Sequence, residues 1–521
     1  MPSRAHLLLL LVSCVVGLVV VLVLGMSYGG RLSAHEGFFR VTVADEVEAA
    51  DGLRRPRKTV VVVVDGLGYA EAQTMHSLAR LAEHGQCRKT DVGSLSLSRP
   101  VYSVLSSGLE ADRNGVRFND DPSPLAADSL WDAAHSVGLS VAAVSELPWW
   151  RELFPRGFDH YVLGERAENF FERAPAADVR LIHPLYVDEA GHESGADSPQ
   201  YGAAVARIDR ELGQFLSGGS VDLKRDLVVV TADHGHSALG GHGGRQDRIA
   251  NVLTCFAGVG VRRDPAVGKL RSTTVGPALA VLLGLRFPAD MRAGDDELDV
   301  LWDIVETSAF PGAYLEDRRG AVERFRAENV TKVREWLPAS AGSWDRFYAW
   351  HRGQQINRVL PFVGLLALTL VLQARAHRRR GGGARFGPLF VGLFAAGAWA
   401  LQVLLRGSFD LSSVAFREDF LQFTSLLGVL WCGAAIGLHW LVRRDMAGLI
   451  VDFTVLSIVG TLLNVAHPVA FGWALGFPVP PAPAFFFPYW AALFLGVMNG
   501  VGVLLCIAGA GMRRAAVVPV G

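Results

Sequence analysis

Cysteine is scarce in this chain, with five residues in 521. Cys14, Cys432 and Cys506 fall inside long apolar runs, which leaves only Cys87 and Cys255 elsewhere. One disulfide between them is open, but two cysteines make no framework, so two unpaired buried thiols is the reading favoured. An excess of either charge is missing too. Fifty Lys and Arg stand against 51 Asp and Glu, a formal net charge of −1. Without a basic surplus, nucleic acid is not an expected partner. What the chain does have is length and apolar content: half of it is hydrophobic, and it is too long for one ordinary domain.

The apolar residues are unevenly spread. Residues 7–24 form an uncharged run long enough to span a bilayer, flanked by Arg4 and His6. The run exceeds an ordinary signal core and no small-x-small cleavage site follows, so it reads as an uncleaved anchor. Five further spans are expected at about 356–374, 388–405, 420–442, 447–465 and 488–511. The organisation expected is an anchor at 1–29, an α/β catalytic domain at 30–355 and a membrane domain at 356–521. Arg375, Arg378, Arg379, Arg380 and Arg385 share one connection, Arg443 and Arg444 another, and Arg513 and Arg514 follow the last span. With Arg4, six spans put all of them in the cytoplasm and residues 30–355 on the opposite side. The 473–487 segment, rich in Pro and Phe and next to Tyr489 and Trp490, fits an interfacial aromatic belt there. Asp452, Asn464 and Asn499 lie within spans and are expected to serve helix packing.

Residues 59–64, Thr-Val-Val-Val-Val-Val, read as a buried parallel-type strand. Strands are also expected at 139–144, 179–187 and 227–231, and helices at 70–84 and 129–137. Tyr201, Val205, Ile208, Leu212 and Phe215 recur at three- and four-residue steps, the mark of an amphipathic helix. Such alternation implies a mostly parallel sheet sandwiched by helices, with ligands bound beyond the carboxyl ends of its strands. Three of these strands would deliver Asp65, Asp188 and Asp233 to that edge. Unpaired carboxylates are costly there, so cations are expected among them.

The densest chemistry is Ala-Asp-His-Gly-His-Ser-Ala-Leu-Gly-Gly-His-Gly-Gly at 232–244. It joins Asp233, His234, His236 and His242, donors suited to zinc, to glycines that let backbone approach a ligand closely. Asp188 and His192 stand four apart, on one helical turn or in a tight loop. In Ser98-Arg99-Pro100, Pro in a first turn marks a helix start near Ser98 with an end near Gly108. A hydroxyl in the positive potential of a helix amino end, beside a divalent cation, loses its proton more easily and becomes a nucleophile. Taken locally, Ser98 reads as only a helix cap, and that reading is the stronger one on its own residues.

Together these residues resemble the alkaline phosphatase superfamily, in its type I phosphodiesterase/nucleotide pyrophosphatase branch. The metal loop is most similar to that of the glycosylphosphatidylinositol ethanolamine phosphate transferases. The resemblance covers about residues 59–294, including the apolar helical segment at 274–284. It implies an alkaline-phosphatase-like fold and two divalent cations, zinc by family habit, about 4 Å apart. Asp65, Ser98, Asp233 and His234 match the ligands of one, with Ser98 the nucleophile that carries a phosphoryl intermediate. Asp188, His192 and His242 match those of the other. His236 stands where relatives often have Met and is left out of the set. Val101 occupies the region where nucleotide-branch relatives carry Asn, so Asn119 and Arg99 are the candidates for contacting the phosphoryl oxygens. Tyr102 stands where sulfatases need Arg, which disfavours sulfate esters. The expected function is a membrane-bound phosphodiesterase or phosphotransferase acting on a phospholipid or glycolipid headgroup, among membrane lipids. The alternative is a nucleotide pyrophosphatase/phosphodiesterase or phosphatase for soluble substrates, with the spans only an anchor.

Overall fold

The computed structural model describes residues 2–33, 55–263 apart from 94, 121 and 167, 268–287, 299–336, 344–380, 386–471 and 482–515. The chain divides into two compact units. One comprises Ser33–Tyr348 with the short segment Leu411–Ala415; the other comprises Met1–Leu32, Ala349–Asp410 and Phe416–Gly521.

The first unit is built on an eight-stranded sheet. Its strands are β1 (Thr59–Val64), β2 (Gly85–Asp91), β3 (Val141–Ser145), β4 (His160–Leu163), β5 (Val179–His183), β6 (Leu227–Ala232), β7 (Asn251–Gly258) and β8 (Leu270–Arg271). Their order is β4-β3-β5-β1-β6-β7-β2-β8, and β7 alone runs antiparallel to its neighbours. With helices flanking it, this is the mostly parallel sheet sandwiched by helices that was expected. β1 and β6 are buried along their whole length, as the interior of a sheet covered on both faces requires. The centre of the order, β5-β1-β6, sets the carboxyl ends of these three strands side by side.

Several local expectations change. The strand expected at 179–187 stops at His183; Tyr186–Ser194 is helix, and Asp188 lies in its first turn. Leu185 lies in the right-handed helical region, and apolar content alone does not separate a buried strand from a buried helical turn. The helix expected at 70–84 is two pieces, Tyr69–Ala72 and His76–Ala82. The amphipathic helix Pro199–Ser217 buries Tyr201, Val205, Ile208, Leu212 and Phe215 as its spacing demands, and Ser198 caps it by accepting from the Tyr201 amide. Cys87 and Cys255 are not free thiols. They face one another across the antiparallel β2–β7 pair, their Cα atoms 4.0 Å apart, and are joined by a disulfide. Pairing of strands so distant in sequence was invisible to cysteine spacing.

Among the described residues the second unit holds six helices long and apolar enough to cross a membrane: Arg4–Gly25, Arg352–Arg379, Phe386–Arg406, Arg417–Arg443, Met446–Phe471 and Phe485–Arg513. Each contains one of the six spans expected. Asp452 is fully buried and ties helices together: Gln373 Nε2 and His377 Nε2 lie 2.8 and 2.6 Å from its Oδ1, and His439 Nε2 lies 3.1 Å from its Oδ2. That is the packing role expected of it. Arg385, Arg514's neighbours beyond 515 and residues 473–481 lie outside the described residues.

Candidate metal centre

Asp65 directly follows β1 and Asp233 directly follows β6, so two adjacent parallel strands aim carboxylates at the same edge. Asp188 arrives from the helix after β5, and His192 follows one turn later on the same helix, its Nε2 3.5 Å from Asp188 Oδ1. Gly66, at φ +74°, makes the turn after β1, and its amide donates to Asp233 Oδ1 at 3.0 Å. The His234 amide donates to the same oxygen at 3.0 Å. Two backbone donors thus hold one Asp233 oxygen and leave Oδ2 directed elsewhere.

The histidines are wired alike. His234 Nδ1 lies 3.2 Å from the Gly235 carbonyl and His242 Nδ1 lies 2.9 Å from the Ser96 carbonyl. A carbonyl only accepts, so each Nδ1 carries the proton and each Nε2 presents a lone pair, the usual dress of a metal-bound imidazole. Those lone pairs converge. His242 Nε2 is 3.1 Å from His192 Nε2 and 4.0 Å from Asp188 Oδ1. His234 Nε2 is 3.2 Å from Asp233 Oδ2, 3.5 Å from Asp65 Oδ1 and 3.3 Å from Ser98 Oγ. Asp65 Oδ1 and Asp233 Oδ2 have no hydrogen-bond partner among the described residues, although both residues are fully buried.

Electrostatics points the same way. Burial, then the Asp188 charge, pushes the Asp65 carboxyl well above the usual range, against the pull of Tyr102. Burial, then Asp65 and Asp188, does the same to Asp233. Burial, then His242, holds His234 well below the ordinary imidazole value, and burial, then His192, lowers His242 to about 3. Neutral imidazoles and carboxylates that resist ionisation side by side are the condition a divalent cation relieves. Asp65, Asp233 and His234 offer three atoms mutually within 4.8 Å, and so do Asp188, His234 and His242, and Asp188, His192 and His236. The donor set therefore fits divalent cations, with the mixture of imidazole and carboxylate ligands that holds them.

Ser98 opens the helix Ser98–Ser107, which ends at Gly108 with φ +71°. Its N-cap is Leu97 and no side chain caps it, so the cap reading of Ser98 does not hold. Being inside the first turn, the Ser98 hydroxyl is turned toward His234 instead. Asn119 comes beside the Ser98 helix start: its Oδ1 accepts from the Arg99 amide at 3.0 Å. The Arg99 guanidinium pairs with Glu152 and lies over the Trp149 ring, 4.8 Å from its centroid.

Sequence reasoning missed the support of Asp65. Tyr102, one turn along the Ser98 helix, donates its hydroxyl proton to Asp65 Oδ2. His183 Nε2 lies 2.8 Å from the Tyr102 oxygen, and the Ser145 hydroxyl lies 2.8 Å from His183 Nδ1. Since Tyr102 spends its one proton on Asp65, His183 Nε2 is the donor to Tyr102 and Ser145 donates to Nδ1. The relay runs Ser145, His183, Tyr102, Asp65. Burial keeps His183 neutral, at about 4. His236, set aside in the sequence, is fully buried with its Nε2 2.9 Å from Asp188 Oδ1. Its place in the metal loop was the available signal.

Residues 145–280 match the family model described as Type I phosphodiesterase / nucleotide pyrophosphatase. That span holds Asp188, His192, Asp233, His234 and His242, while Asp65 and Ser98 precede it. The catalytic subunit of mouse GPI ethanolamine phosphate transferase 3 is 24% identical over 275 residues, 44% of this chain and 24% of the relative. The human GPI ethanolamine phosphate transferase 2 catalytic subunit is 24% identical over 271 residues, 45% of this chain and 27% of the relative. GPI ethanolamine phosphate transferase 1 of Aspergillus oryzae is 25% identical over 310 residues, 49% and 30%. The chain thus spans about a quarter of the length of the first two curated relatives. Murine ectonucleotide pyrophosphatase / phosphodiesterase 5 aligns at 14% identity and TM-score 0.37, over 44% of this chain and 96% of its own. The family model and the relatives bear out the resemblance carried by the motifs.

Proposed function

We propose that this chain is an integral membrane phosphodiesterase or phosphotransferase that works through a phosphoryl group carried on Ser98. The single observation that supports it best is the convergence of three buried carboxylates and three imidazole Nε2 atoms beside a serine hydroxyl at a helix amino end.

On this reading Asp65, Asp233, His234 and Ser98 hold one cation, and Asp188, His192 and His242 the other. Bound, the pair supplies Lewis acidity toward the phosphoryl oxygens and lowers the pKa of an attacking alcohol. The residues do the rest. The first turn of the Ser98 helix holds Oγ in positive potential, which favours the alkoxide. Oγ forms the new bond to phosphorus as the bond to the leaving alcohol breaks, and the leaving oxygen takes up a proton. A second alcohol, or water, then displaces Ser98 from the opposite side. Asn119, held next to the nucleophile through the Arg99 amide, is the nearest candidate to steady the phosphoryl oxygens; Arg99 itself contributes through its backbone, since its guanidinium is engaged with Glu152.

The substrate proposed is a phospholipid or glycolipid headgroup. The relatives named above and the six apolar helices support this over a soluble diester. The catalytic domain, residues 30–355, is proposed to lie on the non-cytoplasmic side. The Arg-rich connections and the Cys87–Cys255 disulfide, a bond that persists in oxidising compartments, support that orientation. Purified Ser98→Ala protein should lose all turnover of an aryl phosphodiester, and envelope lipids from cells carrying it should lose one modified headgroup. Retained turnover would remove Ser98 from the mechanism, and an unchanged lipid profile would favour soluble substrates.

A further inference from the structure

His236 is wired as His234 and His242 are, with Nδ1 against a backbone carbonyl. Its Nδ1 lies 2.8 Å from the Gly240 carbonyl, which only accepts, so Nδ1 carries a proton. Its Nε2 lies 2.9 Å from Asp188 Oδ1. Either a proton on Nε2 or a cation lies between these two atoms, and the experiment below separates the two. Asp188, His192 and His236 each offer an atom mutually within 4.8 Å.

The fold is shaped around this ring. A Cβ on Gly191 would stand 2.4 Å from His236 Cδ2 and 2.6 Å from its Nε2. A Cβ on Gly66 would stand 2.8 Å from the same Nε2 and 2.6 Å from Asp188 Cα. Gly191 sits inside the helix that carries Asp188 and His192, where glycine is less favourable than alanine. The ring edge also meets Tyr201, with centroids 6.0 Å apart, and the residue is wholly buried. An imidazole held on every side, with one nitrogen tied to backbone and the other aimed at a carboxylate, is a preorganised ligand.

We propose that His236 is a fourth protein ligand of the cation held by Asp188, His192 and His242. The inference rests on the two-cation reading and goes beyond it. It assigns the second position four protein donors, which favours a firmly retained ion that would meet a substrate oxygen by expanding to five-coordination; the first position keeps Ser98 as its exchangeable oxygen. The second ion should therefore be the last to leave under chelation.

The test uses the full chain in detergent, loaded with zinc. Zinc per chain is counted, a chelator competition gives the two affinities, and zinc-edge X-ray absorption counts imidazoles per ion. In His236→Met and His236→Gln the tighter ion should weaken by more than about 100-fold, beyond what losing an outer hydrogen-bond partner costs, and imidazole scattering should fall. Gly191→Ala, which displaces the ring without removing it, should move both readouts the same way. Retention of the other ion reports that each variant is folded. Superimposable competition curves, or unchanged imidazole scattering, would overturn the proposal and leave His236 as a hydrogen-bond donor to Asp188. Fewer than two zinc ions on the unaltered chain would instead overturn the two-cation reading itself.

Discussion

The Ser237 hydroxyl donates to the backbone carbonyl of Ser412 at 3.1 Å, across 175 positions of sequence. Ser412 belongs to Leu411–Ala415, a short segment between two apolar helices that packs as part of the unit containing the sheet. It lies on the metal loop. A Cβ on Gly241 would stand 2.3 Å from the Ser412 carbonyl oxygen and 2.5 Å from that of Val414, and the Ser412 hydroxyl donates to Gln246 at 2.8 Å. The loop's glycines therefore admit a strut as well as a ligand.

Gly241→Ala should shift the loop that carries His242 and lower kcat/KM by about a hundredfold, the cost of a displacement near 1 Å. Steady-state kinetics on an aryl phosphodiester checks this. A chain ending after Gln355 keeps every expected metal ligand but loses the strut, and it should be similarly impaired; full activity would show that the strut is dispensable.

Tyr102→Phe removes the hydroxyl that holds Asp65 and leaves the aromatic ring stacked on Trp150. Zinc affinity at the Asp65 position should fall by about 10- to 100-fold while the melting temperature of the zinc-free chain changes little. Chelator competition and thermal unfolding separate the two effects.

Replacing Cys87 and Cys255 together by Ser should destabilise the sheet unit by roughly 2–5 kcal/mol. Denaturant unfolding of the variant against the unreduced chain measures it. Before reduction, thiol labelling in denaturant should find neither cysteine.

Asp226 contributes to acid stability away from the metal centre. Burial works to raise Asp226, but hydrogen bonds from Arg57 and from the Asp222 amide outweigh it and hold the carboxyl below its usual value. A folded value lower than the unfolded one gives stability that is present above the unfolded value, about 3.9, and is lost as pH falls through the folded value. Asp226→Asn should therefore lower the melting temperature at neutral pH, with the gap from the unaltered chain closing as the pH drops below about 4.

Much of the molecule was legible in its residues. A short run of β-branched valines favours a buried strand, and uncharged apolar runs of bilayer length favour membrane-type helices, because both preferences follow from local composition and length. Asp65, Asp233 and His234 follow directly after such strands, so the edge they occupy came with the strand assignment. Cys87 opposite Cys255, Tyr102 beneath Asp65, His236 against Asp188 and Ser412 on Gly241 were decided by tertiary structure alone. Each depends on which strands become neighbours and which backbone passes close by, and those are set by the burial of the whole sheet. Local pattern names the groups able to do chemistry; only packing determines which nitrogen keeps its proton and which lone pair is left to face a cation.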